Sequence, residues 1–518
     1  MKKLLSLVLA LVMLLSVAAV SAVAEDEPMV IEWLGGHDTD AIAEGDTVLA
    51  WLEEKFNVKL NVWFIERENY GELLTTRIAG GEIPDVFWLD SSEMFASYVS
   101  QGLCLEVPLE TIQELMPESY AWLIEFDPDC FNLVSYEGKN YGLPRVNLDG
   151  KYTYAPFWRA DWLEEYGYTD GEVPRTLDEF EDVFYFFAQG DPDGNGIDDT
   201  YALSNTGMNP IFGAFGALPD RWIVNENGDL EYGAVYSGMK DALELLAKWY
   251  ADGLIDPEFI TGENQGGYWA LSVPFENGTL GYSSSGAFYH IAPDFDGPKN
   301  EETGEGGNFQ AGRTMRNFTA TYGYDKMVIG YNPIGPDGKS GGENWGLTTA
   351  EAVCFSYKLA DDPEKLEKIC EIINTIGSDY DTWVRIWNWD LNDAAYTYDD
   401  LYGFMTENGY ERADETTHTN MFNTLQNPYF AMLANPSRYN WANSMDNFAG
   451  FGYADQLKIT PASKPTYWTA LENLRLGTYV QFITGEKSLD EWDDFVAQWY
   501  SMGGEVITEE SNEWYHSR

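Results

Sequence analysis

From residue 29 onward, apolar and polar positions fall into short blocks with two different periods. MVIEWLGG (Met29 to Gly36) is an almost unbroken apolar run closed by two glycines, which predicts a buried strand. In DTVLAWLEEKFN (Asp46 to Asn57), Val48, Leu49, Leu52 and Phe56 recur at helical spacing, so this segment predicts an amphipathic helix. VKLNVWFI (Val58 to Ile65) reads as a second strand, YGELLTTRIAGG as a helix stopped by Gly80 and Gly81, and DVFWLD (Asp85 to Asp90) as a third strand. Strand, helix, strand, helix, strand at this spacing predicts an α/β unit with a parallel sheet and right-handed crossovers. Ligands of such sheets lie beyond the carboxyl ends of the strands, here the loops Gly35 to Asp38 and Asp90 to Glu93.

Further on, YGLPRVN and TYAPFW have short β-like patterns, whereas TLDEFEDVFYFFAQG and GMKDALELLAKWYADG have helical ones, the latter ended by Gly253. From Asp362 the chain is largely helical, including DPEKLEKICEIINTIG and SLDEWDDFVAQWYSMGG; Ser488 followed by Glu491 predicts a capping box. The Gly, Asp and Asn-rich stretches at 294–308 and 335–344 read as surface loops. Ahead of all this, Lys2 and Lys3 precede an apolar run from Leu4 to Val20 and then Ala22-Val23-Ala24. Those are the parts of a signal peptide spanning 1–24, cleaved after Ala24; the alternative is an uncleaved anchor. No later segment has the roughly 18 uninterrupted apolar residues that cross a bilayer, so no membrane span is expected after signal removal.

Composition narrows the picture. The 518 residues carry 30 Lys and Arg against 86 Asp and Glu, a formal charge of −56, which excludes a general phosphate-backbone binder and argues for no nucleic acid partner. With 44% hydrophobic and 15% aromatic residues, the chain has the apolar surface that acidic disordered proteins lack. Its length exceeds what one core comfortably serves, so at least two lobes are expected. Cys104, Cys130, Cys354 and Cys370 are few and far apart, and none forms CxxC, so a zinc tetrad is not expected. Buried free thiols are the simple reading of Cys354 and Cys370; a bridge from Cys104 to Cys130 stays open.

The sharpest local chemistry is DPDGNGIDDT (Asp191 to Thr200). Oxygen-bearing side chains at Asp191, Asp193, Asn195 and Asp199, the Ile197 carbonyl, and Gly196 at the sixth place match a loop for a structural Ca2+ ion. Ala202 stands where such loops supply a bidentate glutamate, so the set is incomplete; an ordinary Asp/Gly turn is the alternative. Trp158, Tyr268, Trp269, Trp387 and Trp389 are candidate flat faces for sugar rings, each with a place in the core as its alternative. Arg145, Arg159 and Arg385 would each need a carboxylate or a ligand. His37, His290, His418 and His516 are scattered, and HExxH, GxSxG, Walker and GxGxxG motifs are absent, which argues against an enzyme; paired acids of a glycosidase would leave no local signature.

GGEIPDVFWLD, YEGKNYGLPR, FWRADWLEEYGY with PRTLDEFEDV, LAKWYADGLIDPEF, FENGTLGYSS and FITGEKSLDEWDDFVAQWYSMGG occur in an order that resembles extracellular solute-binding proteins, family 1, of carbohydrate-type ABC importers. The resemblance is to the large oligosaccharide-binding branch with alginate-binding and lipoprotein-like members, whose calcium loop is similar to Asp191 to Thr200. Two departures stand out: no lipobox cysteine precedes the mature chain, and RIWNWDLNDAAYTYD is unusually aromatic where relatives often carry a glycine turn.

The resemblance implies a two-lobed periplasmic-binding-protein type II fold, each lobe a mostly parallel sheet flanked by helices, with a ligand cleft at a multi-strand hinge. Transferred here, lobe 1 would comprise 25–147 plus 324–378 and lobe 2 148–323 plus 379–518. It implies an exported, monomeric, non-enzymatic protein that closes on a carbohydrate and passes it to ABC permease subunits. Trp158, Trp269, Trp387 and Trp389 would stack on the ligand; Asp38, Asp90, Ser91, Arg145, Ser283, Ser284 and Arg385 would hydrogen-bond it. The rival expectations are a binder of peptides or other small solutes and a secreted glycoside hydrolase.

Overall fold

The computed structural model describes residues 28–36, 41–260, 272–293, 311–386, 396–400, 403–406, 422, 425 and 427–518. Of the expected features, the signal segment 1–24, Asp38, Trp269, Trp387 and Trp389 lie outside the described residues. Among the described residues, no helix is long and apolar enough to cross a membrane.

The first five expected elements form, each within a few residues of its predicted bounds. Strand Met29–Leu34 pairs in parallel with Val58–Val62 and with Val86–Leu89. Between them, helix Thr47–Phe56 starts on Asp46, whose carboxylate accepts the Leu49 N–H at 2.8 Å, and stops where Asn57 turns left-handed at φ 51°. The sheet then continues with antiparallel partners: its order is Val58–Val62, Met29–Leu34, Val86–Leu89, Thr348–Phe355, Gly142–Val146. Ile31, Trp33, Phe87, Leu89, Val353 and Phe355 are buried on it, together with Ile369, Ile372, Ile373 and Ile376 of helix Pro363–Ser378.

Asp85 explains why an acid precedes the buried third strand. Its carboxylate accepts the Glu32 N–H at 2.9 Å and meets Lys365 Nζ at 3.3 Å, while its carbonyl accepts the Ser356 N–H at 2.8 Å. The 7%-exposed side chain thus ties two neighbouring segments together, and the backbone carbonyl a third. Replacing Asp85 by Ala is expected to cost about 2 kcal/mol, because it strands a buried N–H and an ammonium. Urea unfolding of the variant measures this; an unchanged midpoint would contradict it.

The second core differs from expectation. Its sheet is small and wholly antiparallel, with Phe157–Arg159 between Tyr282–Ser283 and Met327–Ile329. Three-residue strands cannot bury much, so helices Leu177–Gln189, Gly238–Ala251 and Lys464–Thr484 and a dense aromatic cluster carry this core. Residues 327–329, which the expected division gives to lobe 1, pair with Phe157–Arg159, which it gives to lobe 2. The expected box at Ser488 is not made: its hydroxyl accepts from Asp490 N at 3.2 Å rather than from Glu491 N, capping a 3-10 turn, and the helix begins at Trp492. A complete box forms at Thr176 and Glu179, where the Glu179 carboxylate accepts two backbone N–H groups, first that of Arg175, and its pKa falls.

Three segments run side by side between the two cores. Asn147 N donates to Leu347 O at 2.8 Å, Tyr154 N to Glu343 O at 2.8 Å, and Thr153 N to Phe448 O at 3.1 Å. Gly150 is required here: a Cβ would lie 1.8 Å from the Gly346 carbonyl oxygen. All four cysteines are free and buried. Cys130 donates to the Leu123 carbonyl at 3.8 Å, and the bridge from Cys104 to Cys130 that the sequence left open is not formed.

Candidate functional site

The carboxyl ends of the parallel strands in the first core carry the expected polar rim. Asp90 follows strand Val86–Leu89 directly, and Ser91 caps helix Ser92–Ser100 by accepting the Met94 N–H at 3.3 Å. Arg145 reaches the same edge from strand Gly142–Val146, with its guanidinium 2.5 Å from a Glu351 carboxylate oxygen. A register shift between Thr349 and Ala352 makes this possible: the bulge turns Glu351 toward Arg145. Asp90 keeps an exposed edge, yet partial burial of its carboxyl pushes its pKa above the usual range. A hydrogen bond with Ser91 pulls the other way, and the charges of Glu351 and Glu93 add to the rise.

A cation from the other core closes one side of this rim. Lys464, at the start of the long helix Lys464–Thr484, lies 3.0 Å from a Glu93 carboxylate oxygen and donates to Ser92 Oγ at 2.6 Å. Its stem passes over Trp468, with Nζ 4.5 Å from the ring centroid. Nothing in the one-dimensional pattern links residues 92 and 464. Glu351 and Lys464 are therefore additions that sequence reasoning missed, the first because a bulge is invisible in sequence and the second because the contact is long-range.

Near the connecting segments, Arg221 sits between Asp220, at 2.6 Å, and Glu343, at 3.2 Å, and Asn209 donates to the second Glu343 oxygen at 3.1 Å. Asp455 accepts the Trp222 and Leu457 N–H groups at 3.3 and 3.0 Å. Burial raises the carboxyl pKa values of Glu343 and Asp455 even though Arg221 opposes it. This knot fastens strand Gly342–Glu343 to the second core beside the crossing.

The structure separates the other expected contacts. Trp158 is 0% exposed, wedged among Phe180, Phe184, Phe187 and Tyr282 with centroids 4.6 to 6.1 Å away, so it is a core residue and offers no face to a ligand. Ser283 and Ser284 are also buried, and their hydroxyls turn to Thr206: Ser283 to its Oγ1 at 3.2 Å and Ser284 to its carbonyl at 2.9 Å. Arg385 lies elsewhere, paired with Asp381 at 3.0 Å and 5.8 Å from the Trp51 ring. Of the described candidates, Asp90, Ser91 and Arg145 come together.

The loop Asp191 to Thr200 is exposed and sharply folded, with Asp191, Gly194 and Gly196 at φ of 51°, 68° and 77°. The Asp191 carboxylate accepts the Gly196 N–H, and the Asn195 side-chain amide donates to Asp193 at 2.8 Å and Asp199 at 3.1 Å. Ile197 is exposed. Thr200 turns inward to the Phe187 carbonyl at 2.8 Å. Among the described residues, no three His, Cys, Asp or Glu side chains converge as a ready metal cluster. The donor chemistry still suits a hard cation: the Asp193 and Asp199 carboxylates already gather around the neutral Asn195 amide.

Comparison with known proteins gives these features a setting. The chain is 29% identical to Lipoprotein LipO of Bacillus subtilis (strain 168) over 219 residues, covering 40% of this chain and 41% of that protein. It is 25% identical over 309 residues to the fructooligosaccharide ABC transporter substrate-binding protein FusA of Streptococcus pneumoniae serotype 4 (strain ATCC BAA-334 / TIGR4), covering 54% of each chain. The matched regions thus span about half the length of these curated relatives. Among solved structures, the alginate-binding protein AlgQ2 without calcium ion superposes with a TM-score of 0.66 at 17% identity, covering 95% of this chain and 98% of that one. An EF-hand mutant of FusA in complex with fructo-nystose superposes at 0.65 and 16% identity, covering 95% and 98%. These likenesses establish the two-lobed solute-binding-protein fold. A family profile for the bacterial extracellular solute-binding protein matches residues 48–335, more than half the chain, and the protein belongs to that family.

Proposed function

We propose that this protein is the exported, ligand-capturing component of an ABC importer, which closes on an oligosaccharide between its two lobes and hands it unaltered to membrane permease subunits. The observation that carries this reading is the convergence of Asp90, Ser91, Arg145 and Glu351 at the carboxyl ends of the first sheet. Sugar hydroxyls both donate and accept, and a guanidinium held by the Glu351 carboxylate beside the Asp90 carboxylate and Ser91 offers both kinds of partner. The name of FusA, a fructooligosaccharide binder, supports the same ligand class. In this reading the chain has no catalytic role, its leader 1–24 directs export, and the crossing segments act as a hinge whose closure adds contacts absent from the open form.

Titration calorimetry against fructo-, manno-, galacto- and galacturono-oligosaccharides tests it. At least one glycan is expected to bind, and Arg145→Ala to weaken it at least tenfold, about 1.4 kcal/mol. Silence toward every glycan together with heat from peptides would replace the ligand class. Release of reducing ends would replace the binder by a hydrolase.

The same reading gives Asp191, Asp193, Asn195, the Ile197 carbonyl and Asp199 a structural Ca2+ ion. It is supported by the loop's fold and by the calcium ion and EF-hand named for the AlgQ2 and FusA structures. Bound calcium would neutralise acids that otherwise repel one another and would stiffen the exit from helix Leu177–Gln189. Calcium at about 1 mM on a site of the affinity usual outside cells stabilises by about 0.4 to 1.4 kcal/mol. Chelation is therefore expected to lower the thermal midpoint of the wild type and leave an Asp191→Ala/Asp193→Ala variant unmoved. An equal response from both would reject the site.

A further inference from the structure

We propose that Lys464 is the positioning residue for lobe closure, a role that rests on the reading of the chain as a closing binder: its ammonium, carried by the second core, clasps Glu93 and Ser92 of the first core in the closed form and sets how long a captured ligand is held. The arm is fixed at its own end. Ser463, just before helix Lys464–Thr484, donates its N–H and its hydroxyl to one Glu510 carboxylate oxygen of helix Glu505–His516, at 3.0 and 2.9 Å, and Pro465 sits in the first turn, where its missing N–H costs nothing. Leu471, Phe482 and Ile483 root the same helix in the second core. From there the Lys464 stem crosses Trp468, and Nζ reaches Glu93 Oε1 at 3.0 Å and Ser92 Oγ at 2.6 Å. These partners open helix Ser92–Ser100, whose Phe95 and Val99 belong to the first core.

Local energetics give no reason for a lysine at this place. A cation in the first turn of a helix opposes the helix dipole, and Lys464 Nζ stands at the start of two helices at once, its own and Ser92–Ser100. Burial adds to the cost, because only 11% of the side chain stays exposed. Glu93, an acid in the first turn of its helix and therefore well placed, supplies the compensating charge. Opening the lobes about the crossing segments parts this ammonium from its carboxylate. Arg518 and Asp129 also face each other across the cores, but at 3.6 Å with both side chains about half exposed, a geometry that contributes little. Ser92 directly follows Asp90 and Ser91, so the clasp also holds the end of the loop that carries both rim groups. A contact made only in the closed form slows the escape of a ligand more than it changes its entry.

The test uses the full chain without its leader as wild type, as Lys464→Met, which keeps an apolar stem over Trp468, as Glu93→Gln, and as the double variant. Each is titrated with fructo-, manno-, galacto- and galacturono-oligosaccharides, release is followed by stopped flow, and scattering is recorded without ligand. For any glycan that binds, each single variant is expected to raise Kd about tenfold, mainly through faster release, and the double variant also about tenfold, because the two changes remove one interaction. About a hundredfold loss in the double variant, or a loss in Lys464→Met that Glu93→Gln does not share, would make Lys464 a ligand contact and overturn the clasp. Without ligand, both single variants are expected to show a larger radius of gyration than wild type; identical ligand-free profiles would overturn the proposal whatever the ligand. Urea unfolding follows the fold itself: a lowered midpoint with unchanged Kd and unchanged profiles would reduce the pair to an ordinary stabilising contact. A protein that binds no glycan yet expands in both variants would retain the clasp and remove the oligosaccharide reading instead.

Discussion

Trp158→Ala is expected to lower stability by about 3 to 5 kcal/mol, the usual cost of emptying a fully buried tryptophan site. The indole is 0% exposed, meets Phe180 edge-on at 4.7 Å and Tyr282 at 4.6 Å, and belongs to the central strand of the second sheet. Gly330 packs so closely that a Cβ there would fall 2.4 Å from the indole nitrogen, so backbone walls that side of the site. Trp158→Phe keeps most of the ring contacts and should cost clearly less. Urea unfolding followed by circular dichroism measures both. A Trp158→Ala protein of undiminished stability that has lost ligand affinity would restore this residue to the ligand surface.

Acid should weaken the fold through His290, which is 4% exposed. Burial first, then the nearby cations Arg438 and Arg313, lower its pKa to about 3. A base with a depressed folded pKa stays neutral in the native state, while the unfolded chain takes up a proton below about pH 6.5. The contribution of His290 is therefore complete above that pH and erodes as pH falls, by about 2 kcal/mol at pH 5 and about 4 to 5 kcal/mol near pH 3. Glu343 and Asp455 act in the opposite sense, because their raised carboxyl pKa values favour protonation in the folded state. The difference between wild type and His290→Gln isolates the histidine. It should shrink by about 2 kcal/mol between pH 7.5 and pH 5; a constant difference would contradict the buried neutral imidazole.

The first α/β unit was legible because its strands and helices each follow a single period and end on glycines or caps, as at Asp46 and Gly80. The second was not: its strands are two or three residues long, too short for any period, and its core is built from aromatic side chains on helices. That composition also misled the reading of Trp158, since tryptophan is equally apt for a core and for a sugar face. Asp90 and Ser91 could be found by the rule that ligands lie beyond strand ends, and Arg145 by the need of a scarce guanidinium for a carboxylate or a ligand. Glu351 could not, because a bulge aims it, nor could Lys464, which meets Ser92 across 372 positions of chain. The charge knot around Arg221 likewise gathers residues 209, 220, 343 and 455, which no local motif connects.

Small-angle X-ray scattering, with and without the oligosaccharide that gives heat in calorimetry, tests the central claim most directly. A closing binder predicts a smaller radius of gyration with ligand, saturating at one glycan per chain, with the glycan recovered intact by mass spectrometry. Superimposable profiles at saturating ligand, or recovery of a cleaved glycan, would contradict it.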